Sequence, residues 1–484
     1  MKKMLALLLA ATVLYMAPSP LSVHSQTQNQ TAATSTKFHT VANAIPNRYI
    51  VVLATTNLSP IPDPAPTPFG GSTRSGPPST STSASGSISA SASTSTSTLT
   101  STSASAISPQ AELAPEIADI APAEPPVSVT ATALTSTYGG SFSKTWSDAL
   151  KGFRLHASQG EAISMSNDSR VAFIIEDGAI AVGTPDADPI VMTPDPPGPQ
   201  NPQGGAPWGL DRIDDRFRMD ESYSYVNDGR GVNAYVIDTG IFPTHDQFEG
   251  RAFSIFDAVD SEGTGIDCNG HGSHVAGIIG GRTYGVARNV RLLGVRVLNC
   301  QGAGTWSDVI DGVNFVTWHR RQPAQQGIPA VANMSLGGER NRAADAAVRN
   351  SIRAGVIYVV AAGNGGSDAS AYSPAGVVEA ITVGATNQGD VRAEFSNYGS
   401  LLDLFAPGVS IPSAWIGDVN MVAYASGTSM AAPHVTGVVA QYLQTNRTAS
   451  PAVVRSAVVG TATIGLIRNP GGEGTPNRLL YTEY

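Results

Sequence analysis

Long apolar runs are missing from this sequence. The first candidate, Leu5 to Met16, is apolar except for Thr12. It is too short to cross the about 30 Å of bilayer hydrocarbon as a helix, and no later run approaches a span. Lys2 and Lys3 stand before it, Pro18 and Pro20 follow, and Val23-His24-Ser25 offers small residues for cleavage. Residues 1–25 therefore read as a signal peptide, and the chain is expected to be secreted and soluble. An excess of basic residues is also missing. With 29 Lys and Arg against 38 Asp and Glu, the net charge is -9. That argues against a nucleic-acid binder, which carries a basic patch or stripe. The acidity reads as solubility and says nothing about fold. Cysteine is scarce: Cys268 and Cys300 are the only two. An even count in an exported chain favours a disulfide, with two buried free thiols as the alternative.

What is present is unevenly distributed. Residues 71–106 are nearly all Ser, Thr, Ala and Gly, with Pro on both sides. Such a tract buries too little apolar surface to offset its chain entropy, so 58–130 is expected to be a disordered, solvated spacer. It separates two pieces that read as structured. Ile45 to Ala54 reads as a strand. In the second piece, Tyr138 to Val182, Ser158 to Met165 suits a short helix and Val171 to Ile175 a β-branched strand. Pro and Gly dominate 193–206 and mark a linker.

From Trp208 the pattern becomes strand–helix alternation. Gly231 to Asp238, Val290 to Leu298, Ala330 to Met334 and Val356 to Ala362 are apolar strands. Trp306 to Trp318 and Asn341 to Ala354 have helical spacing, with Gly355 as a stop. Ser450-Pro451 opens a further helix. Near-continuous apolar strands alternating with helices predict a parallel sheet covered on both faces. Sites in such sheets lie at the carboxyl ends of the strands.

The chemistry-bearing residues fall there. Asp238 ends the apolar strand of VIDTGI, where a carboxylate needs a partner; a turn or N-cap aspartate would look the same. His271 lies in DCNGHGSHVAG, and an imidazole titrating near neutrality suits a general base. His274 follows three residues later, but the third ligand and acid of a metal site are missing, so it reads as structural. Ser429, in SGTSMAAPHVTG, opens a helix whose dipole and amides favour a developing oxyanion; a plain N-cap is the alternative. Together, in the order Asp, His, Ser, they make one arrangement of the serine-protease triad.

With these residues the stretch from Trp208 onward resembles the subtilisin superfamily, in its proteinase K and aqualysin branch. The matching pieces include APWGLDRID, VIDTGI, DCNGHGSHVAG, VANMSLGG, VVAAGNGG, FSNYGSLLDLFAPG and SGTSMAAPHVTG. The resemblance implies an α/β, three-layer peptidase domain at 201–484 with a central parallel sheet. A small α+β, ferredoxin-like inhibitory propeptide at 26–200 would precede it, with 58–130 as an insertion. It implies Ser429 as nucleophile, His271 as base, Asp238 as its orienting acid and Asn364 as an oxyanion donor. Substrate would lie as an added strand between Gly302–Gly304 and Ser335–Gly337. Ser335, Leu336, Gly337, Ala361, Ala362 and Gly363 would wall an uncharged pocket for apolar or aromatic side chains. Trp306 would line the pocket four residues before the cut, or simply pack its helix. A structural calcium would be held by Asp403 with the carbonyls of Val378 and Ala380. Cys268 and Cys300 match a disulfide of the branch. The expected partners are protein and peptide substrates and the chain's own propeptide, with no nucleic acid and no membrane after processing. The protein is expected to be a monomer. Maturation is expected within about 192–206. The rival reading is a catalytically inactive, peptide-binding homologue.

Overall fold

The computed structural model describes residues 36–54, 125–182, 190–192, 205–260 and 263–484. The expected signal peptide and most of the spacer and linker lie outside the described residues.

The N-terminal unit is a sheet of β1 (Phe38–His39), β2 (Ala44–Leu53), β3 (Ser141–Trp146), β4 (Gly152–His156) and β5 (Val171–Ala181), in the order β1-β5-β2-β4-β3. Two helices join it, α1 (Val127–Tyr138) and α2 (Gln159–Ser166). The start of α2 follows from a reciprocal cap, in which Ser158 and Glu161 each satisfy a backbone amide of the other. The piece before the spacer is the middle strand of this sheet, since β2 pairs with both β4 and β5. Its side chains alternate between two cores. Tyr49, Val51 and Leu53 pack with Leu134 and Met165 of the unit's own helices, while Ile50 and Val52 join the core of the large domain. One expectation is corrected here: α1 begins at Val127, inside the stretch 58–130 expected to be disordered. Val127, Ala131 and Leu134 give that helix a buried stripe, which the neighbouring Ser/Thr-rich composition masks.

The large domain is built on a sheet of nine strands. Its parallel centre runs β16 (Leu404–Pro407), β15 (Ile381–Thr386), β13 (Ile357–Ala361), β11 (Ala330–Met334), β7 (Asn233–Asp238), β9 (Arg291–Arg296) and β8 (Ala252–Asp257). The short strands β19 (Thr463–Ile464) and β20 (Arg478–Leu479) close the other edge. Along β7, Ala234 and Val236 face the core that holds α4 (His271–Gly280) and α7 (Thr428–Thr445). Tyr235 and Ile237 face the core of α5 (Trp306–Arg321) and α6 (Arg342–Arg353). This two-sided burial is why the strands are apolar without interruption. Helix α3 (Trp208–Asp214) leads into the domain, and α8 (Pro451–Thr461) packs on α7 behind a Ser450 cap. Outside the main sheet, β12 (Gly338–Glu339) pairs with β14 (Tyr372–Ser373). The hairpin of β17 (Ile411–Ala414) and β18 (Val422–Ala425) takes β6 (Ile190–Met192) as a third strand. A boundary at 200/201 therefore assigns to the N-terminal unit a strand that pairs within the large domain. Finally, β10 (Ala303–Thr305) pairs antiparallel with the end of β5. No helix among the described residues is long and apolar enough to cross a membrane.

The spacer joins the end of β2 to α1. Shortening that connection from about 70 residues to about 20 lowers the closure cost by about 1 kcal/mol. A chain lacking 66–115 is expected to fold with an unchanged or slightly raised thermal midpoint. A chain lacking 45–54 loses the central strand and is expected to lose the N-terminal sheet. Circular dichroism melting of both checks this; a collapse caused by the first deletion would show that the spacer has a structural role.

Candidate active site

Asp238 is the last residue of β7, at the carboxyl end of the parallel sheet, and is fully buried. Its Oδ1 accepts from His271 Nδ1 at 2.7 Å and from the Thr239 amide at 2.8 Å. Its Oδ2 is buried without a hydrogen-bond partner among the described residues. His271 is the first residue of α4, behind Gly270, whose φ is +107°. A Cβ on Gly270 would lie 2.5 Å from the Trp415 ring, so the turn that presents the imidazole requires glycine. Burial works against a charged His271, but the charge and hydrogen bond of Asp238, with help from Asp267, outweigh it and raise the pKa.

Ser429 is the second residue of α7. Its hydroxyl donates to the Ser335 carbonyl at 3.1 Å, and the Ser335 hydroxyl donates back to the Ser429 carbonyl at 2.8 Å. The Asn364 side chain is oriented by its neighbours. Its Oδ1 accepts from the Thr428 amide and hydroxyl at 2.9 and 2.8 Å, which turns Nδ2 the other way. A Cβ built on Gly427 would stand 3.3 Å from that Nδ2 and 3.6 Å from the Ser429 amide nitrogen. Two donors thus flank one small space kept free by a glycine. Beside it lies a pocket of about 150 Å³, lined by Ser335-Leu336-Gly337, Ala361-Ala362-Gly363, Asn364 and Ser429 among others, with no charged side chain.

The cleft already holds a strand of the same chain. Ala179, Ile180 and Ala181 of β5 pair with Thr305, Gly304 and Ala303. Ala181 also bridges to Gly337 on the opposite side, and the Val182 amide donates to the Gly302 carbonyl at 2.9 Å. Both backbone edges expected from the sequence are therefore brought together around one added strand. Trp306 is buried at the start of α5, and its indole and Ile180 both approach Gly338. Val378 is exposed and Ala380 buried, in the turn before β15.

The subtilase family model matches residues 229–480. The chain belongs to the subtilase family. It is 48% identical over 350 residues to an extracellular serine proteinase of Thermus sp. strain Rt41A, covering 72% of this chain and 79% of that protein. It is 44% identical over 351 residues to the alkaline serine exoprotease A of Vibrio alginolyticus, of which 62% is covered, with 72% of this chain. A crystal structure of a cold-adapted subtilisin-like serine proteinase matches with a TM-score of 0.55 at 48% identity, covering 58% of this chain and 100% of that one.

Several further positions in this subtilase hold the site together. Asp267 holds the loop before His271: its two oxygens accept from Thr239, Asn269, Gly270 and Ser273. Asn333 links Ser335 to Thr436 of α7. Asp177, fully buried at the unit boundary, accepts from the Ser307 amide and hydroxyl at the start of α5 and pairs with Arg48. His274 donates through Nε2 to the Ile411 and Ala423 carbonyls, and burial pushes it down to about 3, so it is a neutral tie between α4 and the β17–β18 hairpin.

The carboxylates that could hold a cation differ in their surroundings. Asp403 has one oxygen on the Arg455 guanidinium and the other on the Thr382 amide, so its charge is already balanced by this chain. Asp211, Asp215 and Asp220 instead bring carboxylate oxygens within 4.8 Å of one another. Beside them burial, and then the charges of Asp215 and Asp211, push Asp214 up to about 7 despite the hydrogen bond from the Ser224 amide. Their spacing in GLDRIDDRFRMD was visible in the sequence; their convergence required the fold.

Cys268 and Cys300 form a disulfide. It joins the loop before His271 to the turn before Gly302, across a sequence separation of 32. The double change Cys268→Ser, Cys300→Ser is expected to lower unfolding stability by about 3.5–4 kcal/mol on the chain-entropy account. Urea denaturation in an inactive background measures it, and an unchanged midpoint would refute that account.

Proposed function

We propose that this subtilase is a secreted serine endopeptidase made as a self-inhibited, self-processing precursor. The observation that supports this best is the strand Ala179–Val182 lying between two backbone edges, with Ala181 lining the same pocket as Ser429. A peptide bound by strand addition gains affinity from backbone hydrogen bonds, whatever its side chains. That suits broad specificity, and the uncharged pocket suits an apolar or aromatic side chain before the cut. The unit built on β1 to β5, within the 26–200 expected from the sequence, would then be the inhibitory propeptide, displaced or destroyed after cleavage.

In this mechanism Ser429 Oγ turns from the Ser335 carbonyl and attacks the substrate carbonyl carbon. His271 takes its proton through Nε2, because Nδ1 is held by Asp238. Asn364 Nδ2 and the Ser429 amide donate to the tetrahedral oxyanion. His271 returns the proton to the leaving amine, and water then hydrolyses the acyl-enzyme by the same route. The inactive-homologue reading has no structural feature in its favour, since each of these groups is present.

The base must be neutral to act. Because Asp238 raises the His271 pKa, kcat/KM should rise with pH through a midpoint above the ordinary 6.5. Asp238→Asn removes the charge that raises it. The midpoint should move down, and turnover should fall by about 10⁴-fold, a size taken from the corresponding change in another serine protease. Steady-state kinetics from pH 5 to 10 test this. An unmoved midpoint in the variant would assign the acid limb to another group.

A structural calcium is proposed as well, at the Asp211, Asp215 and Asp220 cluster in preference to Asp403. Carboxylate oxygens crowded against one another suit a hard divalent cation, and binding only to the folded state stabilises it. Chelation is expected to lower the thermal midpoint of the Ser429→Ala protein by several degrees. Asp211→Asn with Asp220→Asn should abolish that sensitivity, and Asp403→Ala should keep it. The reverse pattern would return the ion to Asp403, Val378 and Ala380.

A further inference from the structure

Residues 362–367 leave the end of β13 and carry Asn364 between two glycines. The path is irregular, since Gly363 has a φ of +99° and Gly366 a φ of +59°. A backbone of that shape does not pair its own amides and carbonyls as a strand or helix would, so they must find partners elsewhere. One side chain supplies several of them. Asn397, in the segment between β15 and β16, is fully buried. Its Oδ1 accepts from the Gly365 and Ser367 amides, each at 3.0 Å. Its Nδ2 donates to the Ala362 carbonyl at 2.8 Å, and its backbone amide donates to the Gly363 carbonyl at 2.9 Å. The polarity of these partners assigns the amide orientation, because the reverse would set Nδ2 against two N–H groups. A Cβ on Gly363 would stand 2.5 Å from Nδ2, so that glycine is what lets Asn397 pack this closely.

Asn397 therefore holds the chain on both sides of Asn364, at Ala362 and Gly363 before it and at Gly365 and Ser367 after it. Thr428 holds the other end of the Asn364 side chain through Oδ1. Between these two anchors Nδ2 has one direction left, toward the space that Gly427 keeps free beside the Ser429 amide. A donor lowers the barrier only if it is aimed before the charge develops. Asn397 itself is not among the residues that line the pocket beside Ser429.

We propose that Asn397 is a positioning residue for the oxyanion: by fixing the backbone on both sides of Asn364, it aims the Asn364 Nδ2 at the space beside the Ser429 amide. This rests on the reading of Asn364 as an oxyanion donor. A residue that only filled the loop would alter stability in any background. One that aims Asn364 acts on turnover, and only while Asn364 is there to be aimed.

The test is a cycle of four mature enzymes, the parent, Asn364→Ala, Asn397→Ala and the double variant, compared by kcat, KM and thermal midpoint. Asn364→Ala is expected to lower kcat by about 10²–10³-fold, a size taken from the oxyanion donor of a subtilisin. Asn397→Ala is expected to lower kcat by about 10–10²-fold, as a donor displaced by about 1 Å would, with KM changed less than about threefold. In the Asn364→Ala background the same change is expected to cost less than about twofold in kcat, since two residues acting through one interaction are not additive. An equal loss of kcat in both backgrounds overturns the proposal, and so does an effect confined to KM or to the thermal midpoint. Asn397→Ser, which leaves a smaller void, goes through the same cycle with the same expected outcome, so that the answer does not depend on the alanine variant accumulating. If Asn364→Ala leaves kcat unchanged, the oxyanion reading itself falls; if it lowers kcat while the Asn397 variants do not, the positioning role alone falls.

Discussion

A carboxylate with no exposure to water is costly unless its charge is answered by donors or a cation. Asp238 is in that position because it ends an inner strand of a sheet covered on both faces. Its answer is the His271 ring and the Thr239 amide. Much of the surrounding structure serves that requirement. The strand must end there, α4 must begin with the imidazole turned inward, and Gly270 must leave room for Trp415. Asp267 fixes the loop between them through five hydrogen bonds, and the Cys268–Cys300 bridge ties it to the turn before Gly302.

A second constraint comes from unpaired backbone. Cleft edges such as β10 and Gly337 present amides and carbonyls that seek a partner strand. In this chain β5 supplies one, and it does so from a sheet whose other strands pack on α5 and α6. Asp177 adds a carboxylate at the start of α5, where helix amides are unsatisfied. The N-terminal unit is therefore held by a shared apolar core, a helix cap and the cleft itself. On the proposed reading, inhibition by occupation of the cleft would follow from that same geometry.

Motif-bearing parts were legible in the sequence because their local chemistry is distinctive. Apolar strands ending in Asp238, the glycines beside His271 and the helix opening at Ser429 each satisfy a local rule, and so do the Ser158 and Ser450 caps. Helix α1 was not legible, since a three-residue apolar stripe is weak against Ser- and Thr-rich surroundings. The acidic cluster was not read from the sequence, because Asp220 approaches Asp211 only after the chain has turned.

By itself, then, the sequence determined the fold class, the order Asp238, His271, Ser429 and the presence of two structured pieces around a spacer. Each of these depends on residue type and short-range periodicity, which are properties of a few neighbouring positions. Only the tertiary structure decided that Ile50 and Val52 face the large domain, that Arg455 answers Asp403, and that Ala181 stands opposite Gly337. Those are pairings between residues tens to hundreds of positions apart. A one-residue slip in such a register reverses which side chains face inward, and no local pattern encodes it.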